Sequence, residues 1–422
     1  MSALTDPPKE SFRLSMLIYD TRYRSLTFQV LAMIGFLILI GWLISNTAAN
    51  LADLGKELSF GFMTEPAGYD INQRLLDYHS QDSHLRAAFI GLLNTLLVAA
   101  MGCFFATVLG VMIGILRLSK NWLISRIMAV YVEMFRNVPV LLWIVLMMAI
   151  MIETLPAPSA FRGADPAATM KLFDTVALTN RGVYIPEALF SRSLGDLHLF
   201  GNTSLNFNIS LDLVALLVVL LAGIFVSGRI KHRADVVQEA TGLRPSTWYL
   251  RLGAIVIPVI VVLIALGFHL GHAELKGFNF QGGTHMRNSL IALCLALSLY
   301  TAAFIAENVR AGILAISHGQ TEAAAALGLR PKRVMSLVIL PQALRVIIPP
   351  LISQYLNLTK NSSLAIAVGY MDLTGTLMGI TLNQTGRELE TVLLGMLVYL
   401  LISLSISAVM NWYNERVKLV ER

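Results

Sequence analysis

Leu85-Arg-Ala-Ala-Phe-Ile-Gly-Leu-Leu-Asn94-Thr95-Leu-Leu-Val-Ala-Ala-Met-Gly-Cys103-Phe-Phe-Ala-Thr-Val-Leu-Gly-Val-Met-Ile-Gly-Ile-Leu116 carries a single charged side chain, Arg86. A hydrocarbon layer about 30 Å thick takes roughly 20 apolar residues in a helix, and this stretch exceeds that. Seven more apolar runs surround it: Leu26–Ser45, Ile127–Ile152 broken by Pro139, Leu211–Val226, Leu252–Phe268, Ser289 to about Val309, Val346 to about Val368, and Val392–Tyr413. Eight such runs predict an all-α polytopic membrane bundle. A membrane barrel would show short alternating segments instead.

Composition agrees. The 422 residues are 56% hydrophobic and only 14% charged, whereas a soluble surface needs about a quarter charged residues. The net charge of +6 does not read as nucleic-acid binding, because the basic residues are scattered between apolar runs. Cys103 and Cys294 both lie inside apolar runs, which argues against a disulfide framework and a cysteine metal site; no metal ligand set is expected. Met1–Ser25 is polar and the first run lacks a small-residue cleavage pattern, so no signal peptide is read there.

Placing the N-terminus in the cytoplasm divides Lys and Arg 20 to 10 in favour of that side. Arg136 and Lys360 are left inside helices. The basic excess predicts that both termini are cytoplasmic. Asn46–His84 and Glu153–Asn208 then lie outside. The second, with Pro156, Pro158, Pro166 and Pro186, reads as an irregular loop with at most one short helix.

One inner loop stands apart: Gln320-Thr321-Glu322-Ala323-Ala324-Ala-Ala-Leu327-Gly328-Leu-Arg330-Pro331, followed by Val338-Ile-Leu340-Pro341. Alanine favours a helix over Gln320–Leu327. Thr321 and Glu322 suit its N-terminus, Gly328 its left-handed C-terminal position, and Pro331 stops continuation. By physics alone, an ordinary connection between two spans explains the loop as well as a docking helix does.

The spacing Glu-Ala-Ala, three residues, Gly, nine residues, then Ile-x-Leu-Pro resembles the EAA loop of ABC-importer permeases. Here it reads Glu322, Ala323, Ala324, Gly328, Val338, Leu340 and Pro341, with Val for Ile the sole departure. Gly91-Leu-Leu-Asn94-Thr95, Tyr131-Val-Glu133-Met-Phe135-Arg136-Asn137-Val-Pro139, Leu297-Ser-Leu-Tyr300-Thr301 and Lys360-Asn361-Ser362-Ser363-Leu364 resemble its polar amino-acid subgroup. The segment 153–286 exceeds the compact family core and is similar to the long general L-amino-acid permeases.

The resemblance implies a type I importer-like core in two parts, 85–152 and 287–422. Residues 1–84 form an N-terminal tail, first span and periplasmic segment, and 153–286 an insertion with two added spans. It also implies a broad-range L-amino-acid permease of the bacterial inner membrane, working by alternating access. Expected partners are two ATPase subunits, a second and different permease, a periplasmic binding protein and membrane lipid. ATP and magnesium belong on the ATPase chains; this chain binds no cofactor and is not an enzyme. Thr321, Glu322, Ala323, Ala324, Leu327, Gly328, Arg330 and Pro341 are the expected coupling residues.

Ionisable and polar residues within spans are costly and therefore functional candidates. Glu133 with Arg136, and Glu307 with Arg310, are spaced as intrahelical ion pairs or gate contacts. Gln354, Lys360, Asn361, Ser362, Ser363, Asn94 and Thr95 are the candidate substrate path, with helix packing the alternative for each. Pro349-Pro350 is expected to break its helix. Gln354 is a neutral amide where relatives specialised for basic amino acids often carry Glu, which suits a broader range. No Gly-x-x-x-x-Gly-Lys-Ser/Thr string, His-Glu-x-x-His or Gly-x-Ser-x-Gly occurs, which leaves a secondary transporter or channel for small polar solutes as the alternative function.

Overall fold

The computed structural model describes residues 16–417 except 54, 56, 57, 164 and 202. Lys9, Arg13, Lys56, Lys418 and Arg422 of the charge count, and both termini, lie outside the described residues. Among those described, eight helical stretches are long and apolar enough to cross a membrane. The chain divides into two units, Met1–Phe60 and Gly61–Arg422. The first holds α1 (Thr21–Asp53), whose apolar side chains, among them Leu31, Phe36, Ile38 and Trp42, are exposed around its circumference, as suits lipid.

The second unit is a helix bundle. Its long members are α2 (His84–Arg117), α3 (Trp122–Asn137), α4 (Val140–Thr154), α5 (Leu211–Thr241) and α6 (Trp248–Ala265). They are followed by α7 (Asn288–Leu314), the short α8 (His318–Ala326), α9 (Leu340–Asn361) and α10 (Glu388–Val417). α7 is central, with 72% of its most apolar window buried. Its approach to α2 rests on Gly110 and Gly114, spaced as a small-xxx-small pair. A Cβ at Gly110 would stand 2.6 Å from that of Ile305, and one at Gly114 would stand 2.8 Å from the Ala306 carbonyl oxygen.

One sequence expectation holds and three need correction. The break expected at Pro139 divides the run Ile127–Ile152 into two helices, Trp122–Asn137 and Val140–Thr154. Val138 is extended (φ −111°, ψ 133°), because the residue before a proline avoids the helical region. Pro349 and Pro350 do not end their helix, since α9 runs through them from Leu340 to Asn361. The helix over 318–326 begins at Ser317 as N-cap, so Thr321 and Glu322 sit in its second turn. Finally, the segment Glu153–Asn208 is irregular only in part: the short helix stands at Pro158–Phe161, but strands follow from Ala177 onward.

Five strands stand before α5: β1 (Ala177–Thr179), β2 (Gly182–Ile185), β3 (Glu187–Phe190), β4 (Asp196–Leu199) and β5 (Phe207–Ser210). Four follow α6: β6 (Phe268–Gly271), β7 (Glu274–Lys276), β8 (Asn279–Gln281) and β9 (Thr284–Met286). β1, β2 and β9 form one antiparallel sheet, β3 pairs with β6, β4 with β5, and β7 with β8. Pairing of β2 with β9 and β3 with β6 joins the two flanks of the α5–α6 hairpin. Residues 177–286 thus make one strand-capped element at the end of the bundle opposite α8.

Candidate functional site: an exposed inner helix and a polar cleft

α8 is built to present a surface. At its end the Gly328 N–H donates to the Ala325 carbonyl at 2.9 Å and the Leu329 N–H to the Ala324 carbonyl at 3.3 Å. Gly328 has φ +77°. This double bond is the Schellman arrangement, and only glycine takes its left-handed position without strain. Leu329 turns inward with Ala324, Val334, Ile339, Ile313 and Ile316. That anchors one face and leaves Thr321, Glu322, Ala323, Ala325, Ala326 and Leu327 outward. Leu327 is 83% exposed, an apolar tip with Arg330, Lys332 and Arg333 also exposed beside it.

A side-chain hydrogen bond ties this helix to the bundle. The Gln342 amide of α9 donates to Gln320 Oε1 at 3.3 Å. Two turns before the end of α7, Glu307 pairs with Arg310 at 3.0 Å and with Arg117 at the end of α2, which joins α7 to α2. Between α8 and α9, residues 335–339 form one wide π turn, which lets the chain pass into α9 where Pro341 offers no N–H. Pro341 itself is half-buried.

The second feature is a cleft of about 290 Å³ between α7 and α9, lined by Tyr300, Thr301, Phe304, Gln354, Asn357 and Asn361. Gln354, Asn357 and Asn361 are one stripe of α9, and Tyr300 with Phe304 one stripe of α7, because positions three, four and seven apart share a helix face. Phe304 lies 16 residues into α7, about 24 Å along its axis at 1.5 Å per residue, a little past the middle of this 27-residue helix.

The expected path residues therefore separate. Gln354 and Asn361 line the cleft. Lys360 beside them is exposed and outside the lining. Ser362 and Ser363 donate back to the carbonyls of Thr359 and Lys360, both at 2.7 Å, and so finish α9 rather than open it. Asn94 and Thr95 lie elsewhere. The Asn94 amide donates to the carbonyls of Gln73 and Met371 at 2.7 and 2.8 Å, and Thr95 Oγ1 accepts from the Leu373 N–H at 3.0 Å. They fasten the outer connection 371–373 to α2.

The spacing of Glu133 and Arg136 yields no ion pair. Glu133 accepts from the Asn137 amide at 3.3 Å, while the Arg136 guanidinium lies 5.5 Å from the centre of the Phe304 ring. Thr301, Phe304 and Asn357 were not among the expected path residues. The polar stripe 354, 357, 361 on an otherwise apolar run is the signal that identifies the last of them.

A bundle of broken and continuous spans, with an exposed short helix between two of them and a polar cleft beside the middle of α7, defines a membrane permease. The family model described as the binding-protein-dependent transport system inner membrane component matches residues 245–419. The chain is 57% identical to the glutamate/glutamine/aspartate/asparagine transport system permease protein BztB of Rhodobacter capsulatus, over 100% of both chains. It is 43% identical to the putative amino-acid ABC transporter permease protein YhdX of Escherichia coli, over 94% of this chain and 95% of that one. It is 42% identical to the general L-amino acid transport system permease protein AapQ of Rhizobium johnstonii, over 98% and 96%. The chain belongs to this family of ABC-transporter permeases.

Proposed function

We propose that the chain is the permease subunit of an ATP-driven importer of L-amino acids. The observation that carries this reading is α8. It is held to the bundle by its buried face, by Gln342 and by the turn at Gly328, and it offers a compact alanine-rich surface with Leu327 outermost. Thr321, Glu322, Ala323, Ala324, Leu327, Gly328, Arg330 and Pro341 set that surface or its anchoring, and α8 docks on an ATPase chain that binds ATP and magnesium. This chain binds no cofactor. Motion of α8 reaches α9 through Gln342, and the Glu307 ion cluster holds α7 to α2.

Gln354, Asn357, Asn361, Thr301 and Tyr300 give a zwitterionic solute a neutral polar lining beside the middle of α7, where dry hydrocarbon would exclude it. The broad solute range named for the long relatives supports a range of L-amino acids here. The partners are two ATPase chains, a second and different permease and a soluble binding protein. The location is the bacterial inner membrane, with α8 and both termini on the cytoplasmic side. Uptake into proteoliposomes holding the purified complex tests the reading. Uptake should require ATP inside the ATPase compartment and persist when ion gradients are collapsed. Uptake driven by an ion gradient without ATP would establish a secondary transporter instead.

A further inference from the structure

The cleft lining supplies hydroxyls and amides but no formal charge, whereas every amino acid enters with both an ammonium and a carboxylate. We propose that Arg136 is the group that holds the substrate's α-carboxylate at the cleft, an assignment resting on the cleft being the solute path.

Three observations carry it. Arg136 is the second-last residue of α3, about 21 Å along that helix from its first residue, and its exposed side chain stands just outside the cleft lining. It rests on the ring of Phe304 at 5.5 Å, and Phe304 is part of the cleft wall. Among the described residues no carboxylate pairs with it. Glu133, one turn away, takes the Asn137 amide, and Glu307 is occupied by Arg117 and Arg310.

A cation kept within a spanning run without a protein anion is costly unless it has an anionic visitor. A guanidinium beside an aromatic ring and without a carboxylate partner keeps N–H donors free for a bidentate grip on a carboxylate. The amide oxygens of Gln354, Asn357 and Asn361 across the cleft are acceptors suited to the ammonium end. The two ends of one zwitterion thus meet groups of matching sense, and the variable side chain is left to the remaining space.

The test uses the permease–ATPase complex in nanodiscs, without binding protein, and equilibrium binding of radiolabelled L-glutamine. Arg136→Gln should weaken binding by about tenfold or more, as for loss of a charge-assisted bond, while Arg136→Lys should retain part of it. L-glutamine α-amide, whose carboxylate is replaced by a neutral amide, should compete poorly against the unaltered complex. Unchanged binding in Arg136→Gln, or a loss in Lys360→Gln instead, overturns the proposal. If Gln354→Ala and Asn361→Ala weaken binding in that case, the cleft stands and only the role of Arg136 falls. If those two are also silent, the cleft reading falls with it. Should Arg136→Gln fail to assemble, the α-amide decides alone: competition equal to that of L-glutamine overturns the assignment.

Discussion

Gly328 and Gly110 show how two glycines of one chain fail differently. A side chain at Gly110 would overlap Ile305, with Cβ atoms 2.6 Å apart, so any larger residue forces α2 away from α7. At Gly328 a Cβ meets nothing within 4 Å; the cost is only the left-handed backbone, about 1–2 kcal/mol. Gly328→Asp is therefore expected to leave the assembled bundle intact while reshaping the turn that sets Leu327 and adding a charge at the docking surface. Uptake per ATP hydrolysed should fall about tenfold, the effect of roughly 1.4 kcal/mol of lost docking. Parallel ATPase and uptake assays on reconstituted Gly328→Asp, alone and with Glu322→Lys, check it. Normal uptake by the stably assembled double variant would remove α8 from the coupling role.

The strand-capped outer element has its own chemistry. His285 on β9 stacks on Tyr184 of β2 with ring centres 4.2 Å apart and planes 5° from parallel. Burial holds the imidazole below its ordinary pKa, and Arg287 adds to that, against a backbone hydrogen bond to Arg181 that favours the proton. The unfolded element therefore binds the proton more readily than the folded one. The contribution is present above about pH 6.5, the unfolded value, and is lost as pH falls through that value toward the lower folded one. Hydrogen exchange at Val183 and Tyr184, corrected for intrinsic rate, should accelerate between pH 7.5 and about 5.5. His285→Phe, which keeps the stack and removes the proton, should abolish the dependence; an unchanged slope in that variant would refute the attribution.

This is also the element least legible in the sequence. The apolar runs announced themselves by length, and Gly328 by its place after an alanine run. The outer strands span three or four residues, too short for an alternating pattern, and their prolines read as loop. Two of the pairings, β2 with β9 and β3 with β6, bridge the α5–α6 hairpin, so nothing local encodes them. One signal was present: Gly277-Phe278 joins β7 to β8 in a two-residue turn, with Gly277 at φ +65°, where a glycine in first position marks a hairpin. The cleft was half legible. Gln354 and Asn361 were read as polar intruders in a span, but Lys360, Ser362 and Ser363 shared the same short string, and sequence spacing alone does not show which side chains bond back to their own helix.

At the scale of the molecule, the cleft and α8 are each half of something. Gln354, Asn357 and Asn361 face Tyr300 and Phe304 of the same chain, yet a path across the membrane needs walls on every side. One α8 per chain likewise leaves the second of two ATPases without a docking helix. With two ATPases, as proposed, the complex contains two permease chains, and we expect them to be unlike. The α5–α6 hairpin packs tightly on itself, with Gly223 so close to the Ala254 carbonyl that a Cβ would stand 2.8 Å from it. Its outward side chains, Leu213, Leu217, Phe225, Ile257, Ile260 and Ile264, are left exposed. With the strands that close it, the hairpin is a large outer addition, and two copies would crowd a single binding protein approaching the same face. Chemical logic points the same way, since an asymmetric solute requires only one well-matched cleft. Intact-mass analysis of the detergent-solubilised, transport-competent complex decides the matter. One copy of this chain, one of a different permease and two ATPases is the expected composition. Two copies of this chain with no other permease would defeat the expectation and leave α8 and the cleft in their assigned roles.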